Sequence, residues 1–371
     1  MSNLSSNANN VIELDIAIIG GGSAGITLAA KLSNCSAVVV EPRTPNERDC
    51  SWALWVDSDQ EKQFAAVTKG SWKQWRMIDH HSEVLHGSDQ YRYISLSAAQ
   101  YMAQCESSLV KDVNLVRAAA ENIVAAGNGG SFIAAGQHYR ADHLYDSRPP
   151  KIAEHSLKQH FLGWEIRTKA TISDSEIATL MDFRVDQTRG LHFIYALPFS
   201  DRRILIESTM ISNNVESKEW YRQAIEQWLR DQNIEIEEHL GEETGVIPMQ
   251  TVTPLDAGIA GIGAASGAVR LSSGYAFAGI QAQITKLAKG ISTGQYTVPT
   301  PISPALIRMD KIFNRVLLAK PELGVSLMMG TGKALDANGF ARFMLGSANI
   351  VDWAKVITVM PKIPFLKQIF P

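Results

Sequence analysis

The sequence is poor in cysteine, in clustered histidine and in long apolar runs, and each absence excludes a class of protein. Its three cysteines, Cys35, Cys50 and Cys105, are odd in number and lack the C-x-x-C spacing of zinc and redox sites. Its nine histidines show no H-E-x-x-H spacing. We therefore expect reduced thiols in a cytosolic protein and no metal site.

Charge and hydropathy narrow the choice further. The formal net charge is -3 and no long run of one sign occurs, so nucleic-acid binding is not expected. No apolar run approaches the ~20 residues that a membrane-spanning helix needs, so we expect a soluble or peripheral protein. Residues 1–10 are rich in Ser and Asn and are predicted to be a disordered leader.

A glycine-rich turn near the start of the chain is the strongest motif. An apolar stretch precedes Gly20-Gly21-Gly22-Ser23-Ala24-Gly25, a helix-compatible stretch follows, and a second apolar run ends at Glu41. In such a unit Gly20 makes the bend, Gly22 lets a pyrophosphate approach, and Gly25 lets helix and strand pack closely. The helix start at Ser23 and Ala24 would bind the phosphates and Glu41 the ribose. A tight turn without a ligand is the alternative.

Later glycines bear on which dinucleotide is bound. Gly261 and Gly263 are followed by Gly274, which precedes Tyr275 and a predicted helix over 275–289. A Rossmann unit at the N-terminus combined with a late glycine-rich return favours FAD over NAD, with Gly274 and Tyr275 as candidate contacts. The same glycines could instead form a flexible surface loop.

The middle of the chain consists of strand-like segments joined by short turns, which indicates an antiparallel sheet inserted in an α/β domain. The predicted strands cover 161–168, 177–185, 192–198, 203–211 and 234–239, and a helix is predicted near 217–230. The predicted fold class is therefore α/β, a Rossmann-type FAD-binding domain with an inserted substrate-binding sheet and a helical C-terminus. Its predicted boundaries are 11–150 and 256–295 for the FAD-binding domain, 151–255 for the sheet and 296–371 for the helical region.

Two strands of this sheet carry candidate acid–base groups. Alternation places Asp182 and Asp186 beside Arg184 on one face, where they could also form ion pairs on a solvated surface. Glu207 lies in an apolar strand, on the face opposite to Ile206. Burial would raise the pKa of Glu207 toward the range useful for general acid–base catalysis, whereas a wet sheet face is the alternative.

Taken together, these stretches resemble the FAD-dependent lycopene cyclases of bacterial carotenoid synthesis. The resemblance runs from Asp15 to about residue 290 and is most specific in Gly163-Trp164-Glu165 and in Leu180-Met181-Asp182 followed by Val185-Asp186-Gln187. The other matching elements are, in chain order, residues 15–22, Val40-Glu41-Pro42, Ser51-Trp52, Asp146-Ser147-Arg148, Phe161-Leu162, Tyr195-Ala196-Leu197-Pro198, Leu205-Ile206-Glu207, Glu242-Glu243, residues 245–248 and Gly274-Tyr275.

The resemblance implies a cyclisation without net redox change, catalysed by an intramolecular lyase. An acid protonates the terminal alkene of a linear carotene, the cation closes a β-ionone-type ring, and loss of a proton sets the double bond. FAD would act in its reduced form, with NAD(P)H as a possible reductant, and supply electron density near the cation. Glu207 is the implied acid and base, and the implied site also comprises Asp182 and Asp186 as catalytic groups, Asp146 as an FAD contact, and Trp52, Trp164, Glu165 and Tyr195 as substrate contacts.

Alternatives remain open at this stage. Family members follow the matching glutamate with a second acid, where this chain has Ser208; if that acid shapes a proton relay, Ser208 would slow it or indicate another alkene. One competing class is a redox flavoenzyme, namely a monooxygenase, a halogenase or a prenyl-chain reductase using NAD(P)H. Another is a carotenoid-binding flavoprotein without turnover. The sequence leaves the oligomeric state open.

The last residues bear on how a bilayer-dissolved polyene would reach the protein. Residues 350–371 mix large apolar side chains with Lys355, Lys362 and Lys367, a composition compatible with docking at a membrane interface. Packing of a terminal helix into the core explains the composition equally well. We expect a cytoplasmic protein peripheral to the inner face of the membrane.

Overall fold

The structure is a computed structural model that describes residues 11–369. The leader predicted for residues 1–10 lies outside the described residues. The strands are β1 (Val11–Ile19), β2 (Ala37–Val40), β3 (Ser51–Val56), β4 (Thr68–Trp72), β5 (Gln74–Ile78), β6 (Glu83–Gly87), β7 (Arg92–Ser97), β8 (Val113–Val116), β9 (Glu121–Ala126), β10 (Gly129–Ala134), β11 (Gln137–Asp146), β12 (Lys158–Thr168), β13 (Ile177–Asp182), β14 (Leu191–Ser200), β15 (Arg203–Ser212), β16 (Ile236–Pro248) and β17 (Ala260–Gly261).

Helices follow the first strand, flank the sheets and make up the last part of the chain. They are α1 (Ser23–Lys31), α2 (Ser58–Phe64), α3 (Ala98–Ser107), α4 (Lys218–Asp231), α5 (Phe277–Ile291), α6 (Pro304–Ala319), α7 (Gly324–Ala334), α8 (Ala337–Leu345), α9 (Ile350–Val359) and α10 (Lys362–Ile369). Within residues 11–369, no helix is both long and apolar enough to cross a bilayer.

The first sheet is built around the predicted βαβ unit. Its order is β8-β2-β1-β11-β10-β9, with β17 beside β11. The strands β8, β2, β1, β11 and β17 run parallel, whereas β10 and β9 add an antiparallel edge. Ile16 of β1, Leu28 of α1 and Ile284 of α5 share one buried apolar cluster. The late segment that carries β17 and α5 therefore returns to the glycine turn.

The second sheet forms the wall of the site. Its order is β16-β12-β15-β14-β13-β5-β6, and every pairing is antiparallel except that of β13 with β5. Helix α4 covers one face, where Ile206 packs with Ile225 and Trp228. The C-terminal helices cover the other face, where Leu205 shares a cluster with Phe340. Since β5 and β6 precede residue 151, the sheet extends beyond the segment 151–255 assigned to it from the sequence.

A third, small sheet connects the other two. It has the order β3-β7-β4 and is antiparallel throughout. Its strands come from the stretch between Asp49 and Ser95, where the sequence shows no clear periodicity. It brings Ser51 and Lys69 against Glu243 and Glu165 of the second sheet, and it brings Trp52 to the wall of the cavity that Glu207 lines.

Candidate active site and dinucleotide cradle

The three motif glycines differ in their backbone conformation and in the space around them in the turn between β1 and α1. Gly20 has a φ of +93°, a left-handed conformation that L side chains rarely adopt. A Cβ on Gly25 would lie 2.0 Å from the carbonyl oxygen of Gly20. A Cβ on Gly22 would meet no atom within 4 Å. The bend and the close packing thus require glycine within the protein itself, whereas the open space at Gly22 is left for a ligand.

The start of α1 suits an anion. Gly22 is its N-cap, and no side chain caps the helix there. Among residues 11–369, the N–H of Gly25 in this first turn has a side-chain partner, because it donates to Ser147 Oγ at 2.9 Å. The helix therefore begins, at Ser23 and Ala24, with N–H groups and a positive dipole end that suit a phosphate.

Glu41 lies at the end of β2, as predicted, and holds the turn. Its buried carboxylate accepts the Gly21 N–H at 3.0 Å and the Arg43 N–H at 3.1 Å. Arg48 lies 3.5 Å from this carboxylate and donates to the Gly21 carbonyl at 2.8 Å. The second terminal nitrogen of Arg48 is buried without a hydrogen-bond partner among the described residues. This nitrogen lies 3.6 Å from the Glu106 carboxylate, so Arg48 ties the glycine turn to α3.

Asp146 ends β11 on the other side of the turn. It binds the Arg148 guanidinium through two contacts of 2.9 and 2.6 Å, and Arg148 also pairs with Asp256. The Arg148 backbone N would lie 3.0 Å from a Cβ on Gly20. Asp146 thus fixes the loop that lies against Gly20, and its role toward an FAD stays a prediction.

The return segment borders both the turn and a cavity. A Cβ on Gly263 would lie 2.5 Å from the Ala24 Cβ. Ala264, Gly274 and Tyr275 line the cavity, and Gly274 has a φ of +73°. The predicted helix begins at Phe277 rather than at Tyr275, because the chain first turns at Gly274. The segment is therefore packed, and the flexible-loop alternative does not apply.

The cavity has a volume of about 580 Å³ and lies between the second sheet, the return segment and the C-terminal helices. Its lining is mostly apolar, with Met181, Phe193 and Phe313 among the contributing side chains. Two carboxyl groups also line it, and that of Asp310 is paired with Arg270 at 2.9 Å. Glu207 is the other.

Glu207 faces the cavity from the middle of β15. The predicted alternation holds in this strand, since Ile206 faces α4 while Glu207 lines the cavity. Glu207 is 7% exposed, so it does not lie on a wet sheet face. Burial and the neighbouring Glu243 carboxylate raise the pKa of Glu207 well above its ordinary value, although the Lys69 charge opposes the shift. Burial beside a second carboxylate is the environment that a carboxyl group needs to remain neutral at pH 7 and act as a general acid.

Glu243 was not identified as a site residue from the sequence. Gly163 of β12 lies directly opposite Glu207 of β15 on one side and Glu243 of β16 on the other. A Cβ on Gly163 would meet the Glu207 Cγ at 2.7 Å and the Glu243 Cγ at 3.4 Å. Only the strand register reveals this arrangement, although the sequence elements that contain Glu207 and Glu243 were both among those shared with the lycopene cyclases.

Three tyrosine hydroxyls form a chain beside Glu207. Tyr195 lies opposite Glu207 in β14, and its hydroxyl is 2.7 Å from that of Tyr93. The Tyr93 hydroxyl is also 2.7 Å from that of Tyr275. Burial raises the pKa of all three phenols, so they stay neutral. Trp52 also lines the cavity and stacks on Phe277 at 5.2 Å. Trp52, Tyr195 and Tyr275 are thus brought together as predicted, and Tyr93 was missed.

The two aspartates of the Met-Asp element lie away from the cavity. The predicted alternation fails in β13 because its register shifts around Leu180, so that Leu180 and Met181 both line the cavity and Asp182, expected on the face of Leu180, turns toward α4. Asp182 is 1% exposed, binds Arg184, and accepts a 3.0 Å hydrogen bond from Trp228 Nε1. Asp186 is exposed and caps a turn at Thr188. Their assignment as catalytic groups is corrected to a structural role.

Two of the predicted substrate contacts, Trp164 and Glu165, likewise bind other side chains outside the cavity. Trp164 faces α4, since β12 alternates, and its Nε1 donates to Glu242 at 3.1 Å. Glu165 binds Lys69 at 2.6 Å and also Arg203. Neither side chain lines the cavity.

Ser208 also points away from the cavity. Its hydroxyl lies 2.9 Å from Nε2 of His192, and both residues are buried on the α4 side of the sheet. A second acid at this position would face α4 rather than the cavity beside Glu207. The expectation that Ser208 alters a proton relay is therefore not supported by the geometry.

Comparison with solved structures places the fold. A geranylgeranyl bacteriochlorophyll reductase-like protein from Thermoplasma acidophilum superposes with a TM-score of 0.63 at 11% identity, covering 97% of this chain and 99% of that one. A flavoprotein/dehydrogenase from Cytophaga hutchinsonii gives 0.59 at 12% identity, covering 90% and 93%. At these identities the likeness concerns the fold alone. The predicted α/β class with an FAD-binding type of domain is confirmed.

Comparison of sequences places the family. Lycopene beta-cyclase of Pantoea ananas is 28% identical over 221 residues, which are 56% of this chain and 58% of that protein. The chain thus spans less than two thirds of the length of this curated relative. The family model described as lycopene cyclase protein matches residues 15–369. The chain belongs to the lycopene cyclase protein family.

Proposed function

We propose that this protein is a carotenoid-biosynthetic flavoenzyme that cyclises the end group of a linear carotene to a β-ionone-type ring without net redox change. The observation that carries the proposal is the buried carboxyl of Glu207, which lines an apolar cavity and whose pKa burial raises well above its ordinary value. A hydrocarbon offers no group for ionic recognition, so an apolar wall with a single proton donor suits it. The reaction class is that of an intramolecular lyase.

The chemistry follows from the position of Glu207. Its carboxyl proton forms a new C–H bond at the terminal alkene, which leaves a tertiary cation. A neighbouring double bond attacks this cation and closes the ring. A C–H bond next to the new cationic carbon then breaks, and its proton returns to the carboxylate. Trp52 and Tyr195 supply electron-rich side chains beside the path of the cation.

The glycine turn fits FAD. The N–H groups at the start of α1 suit its pyrophosphate, and the open space at Gly22 allows the approach. Glu41 would hold the ribose, while Gly274 and Tyr275 would border the part of the cofactor nearest the cavity. When bound in its reduced form, with NAD(P)H as a possible reductant, FAD supplies negative charge that stabilises a cation.

Expression in a lycopene-accumulating bacterial host tests this function. New β-ring pigments are expected, measured by chromatography and absorption spectra of the extracted carotenoids. A host carrying the empty vector is the control. Unchanged lycopene in cells that contain the flavin-loaded protein would contradict the proposal and favour a redox flavoenzyme or a different polyene.

We also propose that α9 and α10 dock on the inner face of the membrane and admit the polyene. Ile350, Val351, Ile363 and Leu366 are between 53% and 87% exposed, an unusual run of bare apolar side chains. Leu366 and Ile369 also line the cavity, so the exposed surface is continuous with its mouth. The lysines at 355, 362 and 367 are exposed and suit anionic headgroups.

Flotation with anionic liposomes tests this docking surface. Ile363→Asp combined with Leu366→Asp should lower the floated fraction several-fold, because two charges replace apolar side chains at the proposed contact. Val124→Asp, on the edge strand β9, is the matched control, since Val124 is 59% exposed but lies in the first sheet rather than in α9 or α10. Equal flotation of both variants would contradict the assignment of this surface.

A further inference from the structure

The second carboxyl of the site lies behind Glu207. Neighbouring strands are about 4.8 Å apart, so the backbones of Glu207 and Glu243, with β12 between them, are roughly 10 Å apart. Their side chains approach each other above Gly163, and only a glycine there leaves this space free, because it has no Cβ. The missing side chain at Gly163 therefore leaves room for the two glutamate side chains to lie side by side.

The two carboxyl groups differ in their surroundings. Glu243 Oε2 accepts the Ser51 backbone N–H at 2.8 Å, a bond that favours the ionised form. Glu243 Oε1 is buried and has no hydrogen-bond partner among the described residues, and burial raises the pKa of Glu243 above its ordinary value although Lys69 and the Ser51 N–H oppose the shift. Glu207 lines the cavity, whereas Glu243 does not. Of the two carboxyl groups, that of Glu207 is thus the one that faces the cavity.

We propose that Glu243 is a positioning residue that shares one proton with Glu207 and keeps it on Glu207. This inference rests on the proposed function only for the use made of the proton. Before the reaction Glu207 is neutral and Glu243 is a carboxylate. Once Glu207 has given its proton to the alkene, the pair carries two negative charges next to one carbocation. Loss of the ring proton to Glu207 restores the starting state, so no proton is gained or lost overall.

Other charged and titratable groups face the pair from the surrounding elements. Lys69 of β4 attracts both carboxylates, but its ammonium is already bound to Glu165. Cys50, before β3, is half-buried next to the pair, and desolvation raises the pKa of its thiol to about 12. The phenols of Tyr93, Tyr195 and Tyr275 are neutral. Burial is the main cause that raises the pKa of Glu207, and among the neighbouring charges it is Glu243 that raises it further by Coulombic repulsion.

The test is infrared spectroscopy of the flavin-loaded protein without substrate. The carbonyl stretch of a protonated carboxyl, identified by its shift in D2O, is followed from neutral to alkaline pH. Wild type should keep this band at neutral pH, and Glu207→Gln should lose it. Glu243→Gln should keep the band but lose it at lower pH, because a neutral neighbour no longer repels the Glu207 carboxylate. Glu242→Gln, whose side chain instead binds Arg222, is the matched control.

Gly163→Ala separates the pair by a different route. Its Cβ would lie 2.7 Å from the Glu207 Cγ, so the side chains must move apart, and the band should again titrate at lower pH. Gly87→Ala is its control, since a Cβ there makes only a 3.6 Å contact.

In pigment assays Glu243→Gln should lower kcat about tenfold or more with little change in KM, and shift the alkaline limb of the pH profile to lower pH.

Two results would overturn the shared proton. One is an unchanged titration of the band in Glu243→Gln, and the other is a full band in Glu207→Gln. Neither depends on cyclisation, so a wild-type protein that leaves lycopene unchanged while showing the expected band refutes the proposed function and leaves the shared proton intact.

Discussion

Glu207→Gln is expected to abolish ring formation while the protein stays folded and retains its flavin. The amide has nearly the shape of the carboxyl, so the packing against Gly163 and Tyr195 is kept. It cannot, however, protonate an alkene or accept a proton from the cation. Loss of a positioned general acid lowers the rate by ~10²–10⁴-fold, and here the same group also serves as the base. The measurement is cyclised pigment per mole of flavin-loaded protein in the lycopene-accumulating host.

Asp186→Asn is the companion variant for this experiment. Asp186 was a catalytic candidate from its motif, but it lies exposed at a turn and binds Thr188. Full ring formation is expected from it. Substantial ring formation by Glu207→Gln would remove Glu207 from the role of acid and base. A loss in Asp186→Asn equal to that in Glu207→Gln would restore the Met-Asp element as the site of the chemistry.

Gly22→Val should give a folded protein that binds FAD at least tenfold more weakly, a change of about 1.4 kcal/mol or more. Gly22 has a φ of -67°, so its backbone tolerates a side chain, and no protein atom lies within 4 Å of its Cβ position. A valine there would occupy the space left for the pyrophosphate. The readouts are flavin absorbance of the purified protein and its thermal unfolding temperature.

Two other glycine substitutions calibrate this result. Gly25→Ala should lower the unfolding temperature itself, because its Cβ would lie 2.0 Å from the Gly20 oxygen. Gly241→Val should change neither quantity, since its Cβ position on β16 is open and remote from the turn. Stoichiometric flavin in Gly22→Val would show that the cofactor does not approach the turn at this glycine.

The parts of the fold that were predictable are those fixed by local patterns. The glycine spacing predicted the βαβ unit, because the conformation of Gly20 and the close packing at Gly25 are required within one local turn. The face of Glu207 followed from alternation in a regular strand, β15. Asp182 was misplaced because a register shift in β13 reverses the alternation, and such shifts leave little trace in a single sequence.

The remaining parts depend on partners far away in the chain. Strands β3 to β7 lack a simple hydropathy pattern because β5 is buried between β13 and β6 while β7 lies between β3 and β4. The pairing of Glu207 with Glu243 depends on two strand registers across Gly163, which no spacing along the sequence encodes. Tyr93 was missed for the same reason, since its partners Tyr195 and Tyr275 come from other elements.

The parallel pairing of β5 with β13 has a consequence for how the chain folds. Gln74 of β5 pairs with Ile177 of β13, so β5 and β6 cannot join the second sheet until β13 has been synthesised. Such long-range pairing slows folding and exposes apolar strand edges in the meantime. Cutting the chain at Pro149-Pro150 would therefore not release two autonomous units, because the first fragment would carry β5 and β6 without the strand that holds them.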